Sequence, residues 1–134
     1  MIDLKKDYRL LNGSDLAYIG DAYFELKIRE YLLAKGITKS KELQNASVKY
    51  VSAHAHQLIF NKLAEKLTEE EMMIFKRGRN NAPHNRRKNL NFAEYGTSSG
   101  FEAIIGFLYL KEDFARLDEI IKMAIKISEE RVDE

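Results

Sequence analysis

Residues 99–110 read SGFEAIIGFLYL, and on a helical projection their apolar side chains surround nearly the whole circumference. A helix that is apolar on all sides is buried among other helices. Only one sector lacks a large apolar side chain, and it holds Glu102 and, one turn later, Gly106. The stretch therefore predicts the central helix of a bundle, begun by Ser98 or Ser99 as its N-cap, with a carboxylate beside a glycine.

The rest of the chain also has helical periodicity, and it lacks strand-type alternation and hairpin dipeptides. Ser14 is the predicted N-cap of the first helix and Gly36 its C-terminal stop, and Thr68 with Glu71 forms a capping box. The remaining predicted elements are helices over about 15–34, 41–66, 69–76 and 115–131, and an irregular stretch over 78–97. The predicted fold class is all-α, a helical bundle of five or six helices.

The composition limits the class of protein. A chain of 134 residues with 45% hydrophobic and 32% charged residues is typical of one soluble domain, here expected to span residues 1–134. The absence of cysteine excludes a disulfide framework, a thiol nucleophile and a cysteine metal site. The sequence has neither a signal-peptide segment nor a run of about 18 apolar residues, so we expect a cytoplasmic protein without a membrane span.

A second carboxylate lies in the stretch SDLAYIGDAYFEL, residues 14–26, which follows helical periodicity. Asp21 is predicted to lie outside the apolar stripe of its helix, beside the small residues Ala17 and Gly20. A buried charge is costly and a glycine weakens a helix, so the combination suggests a site. The predicted stripe consists of Leu16, Ile19, Ala22, Tyr23, Leu26 and Leu33.

Two buried carboxylates with space beside them, Asp21 and Glu102, predict a site for Mg²⁺, which commonly combines one or two carboxylates with substrate phosphate. The alternative is structural, because an isolated helical aspartate often caps a neighbour or faces water, and Glu25 can pair with Arg29. Spacing alone leaves both interpretations open. His54 and His56 share no helix face, so we do not expect them to bind one metal ion together.

Residues 76–88 read KRGRNNAPHNRRK and contain no acidic residue. A concentrated positive patch attracts phosphate backbones, and that attraction weakens with salt. No aromatic residue lies between the arginines, which favours an A-form duplex over a single strand stacked on aromatic rings. The alternative is a solvated loop without a partner. The candidate RNA-binding residues are Lys76, Arg77, Arg79, Arg86, Arg87 and Lys88.

The stretches YIGDAYFEL (18–26) and SGFEAIIGFLYL (99–110) together resemble the two catalytic segments of the ribonuclease III family. The first is similar to that family's E-x-x-G-D-A-x-x-E-L and the second to its D-x-F-E-A-x-x-G-A-x-Y-L. Asp21 and Glu102 match the two inner acids, whereas Ala17 and Ser99 stand where the outer acids are expected. These departures, the KRGRN stretch at 76–80 and the short chain resemble the small bacterial Mini-ribonuclease III group, which lacks a double-stranded-RNA-binding domain.

The resemblance implies roles for individual residues. Asp21 and Glu102 are expected to be catalytic and to hold Mg²⁺, with Gly20 and Ala17 leaving room for metal, water and phosphate. Glu25 matches the first segment but is expected to brace the site rather than bind the metal. Ser99 is expected to orient a water at the metal. Tyr18 is either part of the core or a contact between subunits.

The resemblance further implies a fold of the ribonuclease III endonuclease-domain type, a homodimer, and Mg²⁺-dependent cleavage of double-stranded RNA. The expected biological substrate is the 23S ribosomal RNA precursor, and a large-subunit ribosomal protein is a candidate partner. One alternative is a non-catalytic module that binds structured RNA through a vestigial metal site. Another is a structural helical bundle that binds protein and has no affinity for RNA.

Overall fold

The computed structural model describes residues 3–82 and 92–131, and in these ranges it contains six α-helices, two short 3₁₀ helices and no strand. This confirms the all-α prediction. None of the described helices is both long and apolar enough to span a membrane. The 3₁₀ helices are Tyr8–Leu10 and Ala64–Lys66, and the α-helices are α1 (Gly13–Ala34), α2 (Ser40–Val51), α3 (Ala53–Leu63), α4 (Glu69–Asn80), α5 (Phe92–Leu110) and α6 (Phe114–Glu130).

Helix α5 is the centre of the bundle, as its apolar circumference predicts. It packs most extensively on α1, and it also contacts α3, α4 and α6. Its apolar residues from Phe101 to Leu108 are at most 3% exposed. The side chains that α1 contributes to the same core are Leu16, Ala17, Phe24, Ile28 and Leu32.

Two glycines let α1 and α5 cross at close range. A Cβ atom on Gly20 would collide with the carbonyl oxygen of Glu102, and a Cβ atom on Gly106 would collide with the carbonyl oxygen of Leu16. The interpretation that Gly20 leaves room for a metal is therefore wrong, because its open face is filled by the backbone of α5. The glycine instead brings the segments that carry Asp21 and Glu102 together.

Several predicted helix boundaries differ from the structure. Asn12, rather than Ser14, is the N-cap of α1, and its side chain accepts a hydrogen bond from the backbone N–H of Asp15. The Ser14 hydroxyl instead donates to the backbone carbonyl of Asn81 at 2.5 Å, which ties the start of α1 to the end of α4. Gly36 does follow the end of α1, with a φ of 93° that favours glycine.

The predicted second helix is broken at Ser52, which has extended backbone angles and caps α3 by accepting from the N–H of Ala55. The predicted irregular stretch is also too long. Helix α4 continues to Asn80 because Gly78 lets it approach Gly100 of α5 closely, and α5 begins at Phe92 rather than at a serine cap. Ser98 and Ser99 consequently lie inside α5, where their side chains can face the space between helices.

Candidate active site

The crossing of α1 and α5 places Asp21 and Glu102 in one cavity of about 200 Å³. Their carboxyl groups are in hydrogen-bonding contact. The structure therefore brings together the two acids that the sequence singled out, although 81 positions separate them. The residues lining the cavity are Ser14, Ala17, Tyr18, Asp21, Tyr95, Ser98, Ser99 and Glu102.

The two acids are less buried than the sequence suggests. Asp21 is exposed, and the side chain of Glu102 is 17% exposed. The predicted stripe of α1 is partly wrong, because Ala22, Leu26 and Leu33 face outward. The buried face is rotated so that it includes Ala17 and Gly20, and Asp21 lies at its edge, open to the cavity.

Electrostatics make this pair of acids a good fit for a divalent cation. Burial raises the pKa of Glu102 to about 10, and the hydrogen bond to Asp21 and the charges of Asp21 and Glu25 act in the same direction. Without a cation, the Glu102 carboxyl therefore keeps a proton at neutral pH, within hydrogen-bonding reach of Asp21. A divalent cation would displace that proton and neutralise both carboxylates, which is the donor chemistry that a hard ion prefers.

The site has few protein ligands to offer. The described residues contain no group of three or more acidic or histidine side chains arranged to hold a metal ion. Two carboxylates would leave the other coordination positions to water and a substrate phosphate, a common arrangement for Mg²⁺. Ala17 and Ser99, at the positions of the missing outer acids, line the same cavity and are each 7% exposed.

Glu25 lies one turn beyond Asp21 on α1 and does not line the cavity. Its carboxylate accepts a hydrogen bond from the Arg29 guanidinium, with Nη2 and Oε1 3.3 Å apart. The structural alternative considered for this residue, pairing with Arg29, is therefore confirmed. Its charge still acts on the site, because it contributes to the raised pKa of Glu102.

His56 is a site neighbour that sequence reasoning missed. Its side chain is 1% exposed, and its Nδ1 lies 2.7 Å from Ser98 Oγ and 4.0 Å from Glu102 Oε2. His54, by contrast, is 61% exposed and contacts Glu94, so the two histidines do not form a joint site. The prediction of one continuous helix over 41–66 does not distinguish the buried His56 from the exposed His54. The cap at Ser52 is the sequence signal that would have placed His56 on the core face of α3.

The predicted RNA-binding residues fall into three groups. Arg86, Arg87 and Lys88 lie outside the described residues. Arg77 is half-buried, and its Nη1 donates to the backbone carbonyls of Arg9 at 3.0 Å and Leu11 at 3.2 Å. Lys76 and Arg79 are exposed on the last turns of α4. Arg79 also packs beside Gly96, next to the cavity residue Tyr95.

Tyr18 is 84% exposed at the rim of the cavity, so the interpretation of this residue as core is wrong. Two turns further along α1, Leu26 is 54% exposed. These large apolar side chains lie on the outward side of the helix that carries Asp21. Together they form a candidate interaction surface next to the site.

Comparison with known proteins agrees with this geometry. Residues 14–113 match the sequence model of the Ribonuclease III domain. The chain belongs to the ribonuclease III family. It is 42% identical to the Mini-ribonuclease 3 of Enterococcus faecalis over 123 residues, which covers 90% of this chain and 93% of that protein. It is also 42% identical to the Mini-ribonuclease 3 of Staphylococcus aureus over 125 residues, 92% of this chain and 93% of the relative.

A solved structure shows the same fold. The X-ray crystal structure of a Fusobacterium nucleatum protein superposes with a TM-score of 0.80 and 35% sequence identity, and it covers 92% of this chain and 99% of the other. These relationships identify the chain as an endoribonuclease of the ribonuclease III type, a family that acts on double-stranded RNA. That family is generally dimeric and dependent on a divalent metal.

Proposed function

We propose that this endoribonuclease cleaves double-stranded RNA with Mg²⁺ held by Asp21 and Glu102. The observation that carries the proposal is the close contact between two carboxyl groups at a glycine-lined helix crossing, where Glu102 keeps a pKa of about 10 unless a cation replaces the proton. Such an arrangement disfavours two negative charges in the absence of a ligand. It therefore favours a role in holding a cation over a purely structural role.

The chain's own groups have separate tasks in this proposal. Asp21, which is exposed, approaches the RNA side of the cavity, and Glu102 is fixed on the buried central helix. Ser99 lines the cavity at the position of a missing acid and supplies a hydroxyl that can orient water. When bound, Mg²⁺ would lower the pKa of water and neutralise charge on the phosphate. In-line attack by water on the phosphorus would form the new P–O bond and break the bond to the 3′ oxygen, leaving 3′-hydroxyl and 5′-phosphate ends, as the family resemblance implies.

RNA would enter from the side where α4 ends. Ser14 of the cavity is hydrogen-bonded to the carbonyl of Asn81, so the basic end of α4 lies next to the site. Lys76 and Arg79 are exposed there. We propose that they bind the duplex backbone, and that Arg86, Arg87 and Lys88, which lie outside the described residues, also bind it. Binding should therefore weaken with salt and depend little on sequence.

A homodimer would place two such sites along one duplex. The exposed apolar residues of α1, Tyr18 and Leu26, are the proposed contact with a second copy. Sedimentation of wild type beside Leu26→Glu tests this, because a charge in an apolar contact should shift the protein toward monomer. A monomeric wild type at micromolar concentration would contradict the proposal.

The biological assignment rests on the family resemblance and is a proposal for this chain. We propose a single catalytic domain over residues 1–134 that acts in the cytoplasm on the ends of the 23S ribosomal RNA precursor. A large-subunit ribosomal protein remains a candidate partner. Cleavage of a precursor duplex, compared with an unrelated duplex of equal length and with added ribosomal proteins, tests both the substrate and the partner.

The central experiment uses end-labelled duplex RNA with Mg²⁺, wild type, Asp21→Asn and Glu102→Gln, and a parallel binding gel in Ca²⁺. We expect wild type to cleave, and both variants to bind RNA but to lose at least about 100-fold in rate. Cleavage retained in both variants would contradict the assignment of the two acids. Binding without cleavage by wild type, across Mg²⁺ and Mn²⁺ titrations, would return the alternative of a non-catalytic RNA-binding module.

A further inference from the structure

His56 is enclosed in the core directly behind the candidate active site. Its ring makes aromatic contacts with Phe24 and Phe101, with centroid distances of 5.3 and 5.1 Å. Burial lowers its pKa to about 4, and the charge of Asp21 opposes that shift only in part, so the imidazole is neutral at neutral pH. A neutral imidazole has one N–H donor and one acceptor nitrogen.

The ring is not fully satisfied by hydrogen bonds. Nε2 is buried and has no hydrogen-bond partner among the described residues, while Nδ1 lies 2.7 Å from Ser98 Oγ. An unpaired buried polar atom costs free energy, and an aromatic or aliphatic side chain would fill the same space without that cost. Stability alone therefore does not explain a histidine at this position. The nitrogen with a polar contact is Nδ1, so we look for a role of His56 in that contact.

The geometry at Nδ1 indicates which nitrogen carries the proton. A buried N–H without an acceptor is rarer than a buried acceptor without a donor, which favours the proton on Nδ1. Nδ1–H then donates to Ser98 Oγ, and the Nδ1 atom itself lies 4.0 Å from Glu102 Oε2. With Nδ1–H as the donor, the Ser98 oxygen is the acceptor and its hydroxyl hydrogen does not point at the imidazole. Ser98 and Glu102 both line the cavity.

We propose that His56 is a positioning residue of the cleavage site, which acts through Ser98 to hold the Glu102 carboxylate in its metal-binding orientation. Ser98 and Glu102 are one turn apart on α5 and line the same cavity, so they lie on the same face of the helix. A donor behind a metal-binding carboxylate restricts its rotation and stabilises its ionised form. The inference rests on the proposed function of Glu102 and adds the two residues that support it.

The substitutions His56→Asn and His56→Gln form a matched pair. Asparagine places an amide nitrogen near the position of Nδ1, whereas glutamine places it near Nε2, so only the first keeps a donor toward Ser98. His56→Phe removes both nitrogens and keeps an aromatic ring in the core. His54→Gln, on the exposed side of the same helix, controls for a change of histidine that does not reach the site.

The readouts are Mn²⁺ binding by calorimetry without RNA, kcat and KM on duplex RNA, and the thermal unfolding midpoint. We expect His56→Phe, His56→Gln and Ser98→Ala each to weaken Mn²⁺ binding and lower kcat by about tenfold, with little change in KM or in the unfolding midpoint. His56→Asn should restore most of both losses. The double variant His56→Phe/Ser98→Ala should lose no more than either single variant, because the two residues act in series.

Each other result counts against the inference. If His56→Asn behaves like His56→Gln, or if the losses follow the unfolding midpoint, His56 is only a packing residue. If His56→Phe does not fold, Ser98→Ala with unchanged Mn²⁺ binding and kcat overturns the inference by itself. A wild type that neither binds Mn²⁺ nor cleaves RNA overturns the proposed function as well, whereas failure confined to the His56 and Ser98 variants leaves that function standing.

Discussion

Glu71 and Glu102 show two ways in which this fold handles a glutamate among packed helices. Glu71 on α4 is 3% exposed, and Arg116 of α6 binds its carboxylate through Nε at 2.8 Å and Nη2 at 2.7 Å. The backbone N–H of Thr68 donates to the same carboxylate. Burial alone would raise the pKa of Glu71, but these hydrogen bonds and the arginine charge hold it below its usual value.

Glu102 has the opposite environment. Its neighbour is another acid, Asp21, and burial and that neighbour raise its pKa to about 10. Glu71 is therefore charged, and Arg116 neutralises its charge within the chain. Glu102, at the α1–α5 crossing, has no positively charged partner in the part of the chain that the structure describes. The difference shows which carboxylate stabilises the fold and which one is available to a ligand.

Removing the balanced carboxylate should have the largest effect on stability. We expect Glu71→Gln to lower the free energy of unfolding by about 3 to 5 kcal/mol, because the largely buried Arg116 would keep only the exposed Glu119, 3.4 Å away, as a counter-charge among the described residues. Urea unfolding with a constant m-value measures this. Cleavage per folded molecule should not change, and a loss of activity without a loss of stability would contradict the division of roles.

Removing the carboxylate of Glu102, for which the described residues supply no positive partner, should instead raise the free energy of unfolding. In EDTA at pH 8 we expect Glu102→Gln to be more stable than wild type by on the order of 2 kcal/mol. The amide of glutamine can donate to Asp21 as the protonated glutamate does, but it carries no cost of remaining protonated at a pH where the unfolded glutamate ionises. Mg²⁺ should stabilise wild type and leave the variant unaffected. If the variant is less stable than wild type in EDTA, the proximity of the Asp21 and Glu102 carboxyl groups does not destabilise the metal-free protein, and the prediction is wrong.

The two glutamates should also give opposite pH dependences. Glu102 has a folded pKa of about 10 against an ordinary value of 4.5, so its contribution to stability is fully present below about pH 4.5 and is lost as the pH rises toward 10. The folded pKa of Glu71 is lowered, so its contribution is present above its unfolded pKa and is lost as the pH falls through the folded value.

Unfolding of the metal-free protein between pH 3 and 10 measures these slopes. Glu102→Gln should flatten the alkaline side of the stability profile, and Glu71→Gln should flatten the acid side. The control is His54→Gln, which should leave the alkaline side unchanged. A single variant that flattens both sides would show that the two regions are coupled.

The two glutamates also show what the sequence can predict. The local features were visible: the apolar circumference around Glu102, and the capping box of Thr68 and Glu71, in which both reciprocal hydrogen bonds are present. Arg116, the partner of Glu71 45 residues away, was not visible, because no local pattern specifies it. The pairing of Asp21 with Glu102 was expected from two separate motifs, and it needed the family resemblance to connect them.

The errors have physical causes as well. The first helix has apolar residues on more than one side, so a helical projection cannot tell which side packs against α5, and it wrongly places the exposed Leu26 in the core. Continuous periodicity masked the break at Ser52, and with it the inward position of His56. The sequence predicts space for a ligand at Gly20 because nothing near it in the chain specifies that a second backbone approaches there.

Lys76 and Arg77 extend the comparison to positive charges, with a smaller expected effect. Arg77 holds the segment before α1 by donating to the carbonyls of Arg9 and Leu11, so Arg77→Ala should cost about 1 to 2 kcal/mol of unfolding free energy. Lys76 is exposed, so Lys76→Ala should change stability by less than about 0.5 kcal/mol.

The same two variants should also differ in the salt dependence of RNA binding. If Lys76 contacts a phosphate, Lys76→Ala should reduce the dependence of log K on log salt by about one. Arg77→Ala should change that slope less, because the guanidinium faces backbone carbonyls. Duplex binding at four salt concentrations, beside urea unfolding of the same samples, checks both. A larger change of the salt dependence in Arg77→Ala than in Lys76→Ala would contradict this. It would mean that the Arg77 guanidinium releases its backbone carbonyl partners and binds RNA, so that Arg77, like Glu102, serves a ligand rather than the stability of the fold.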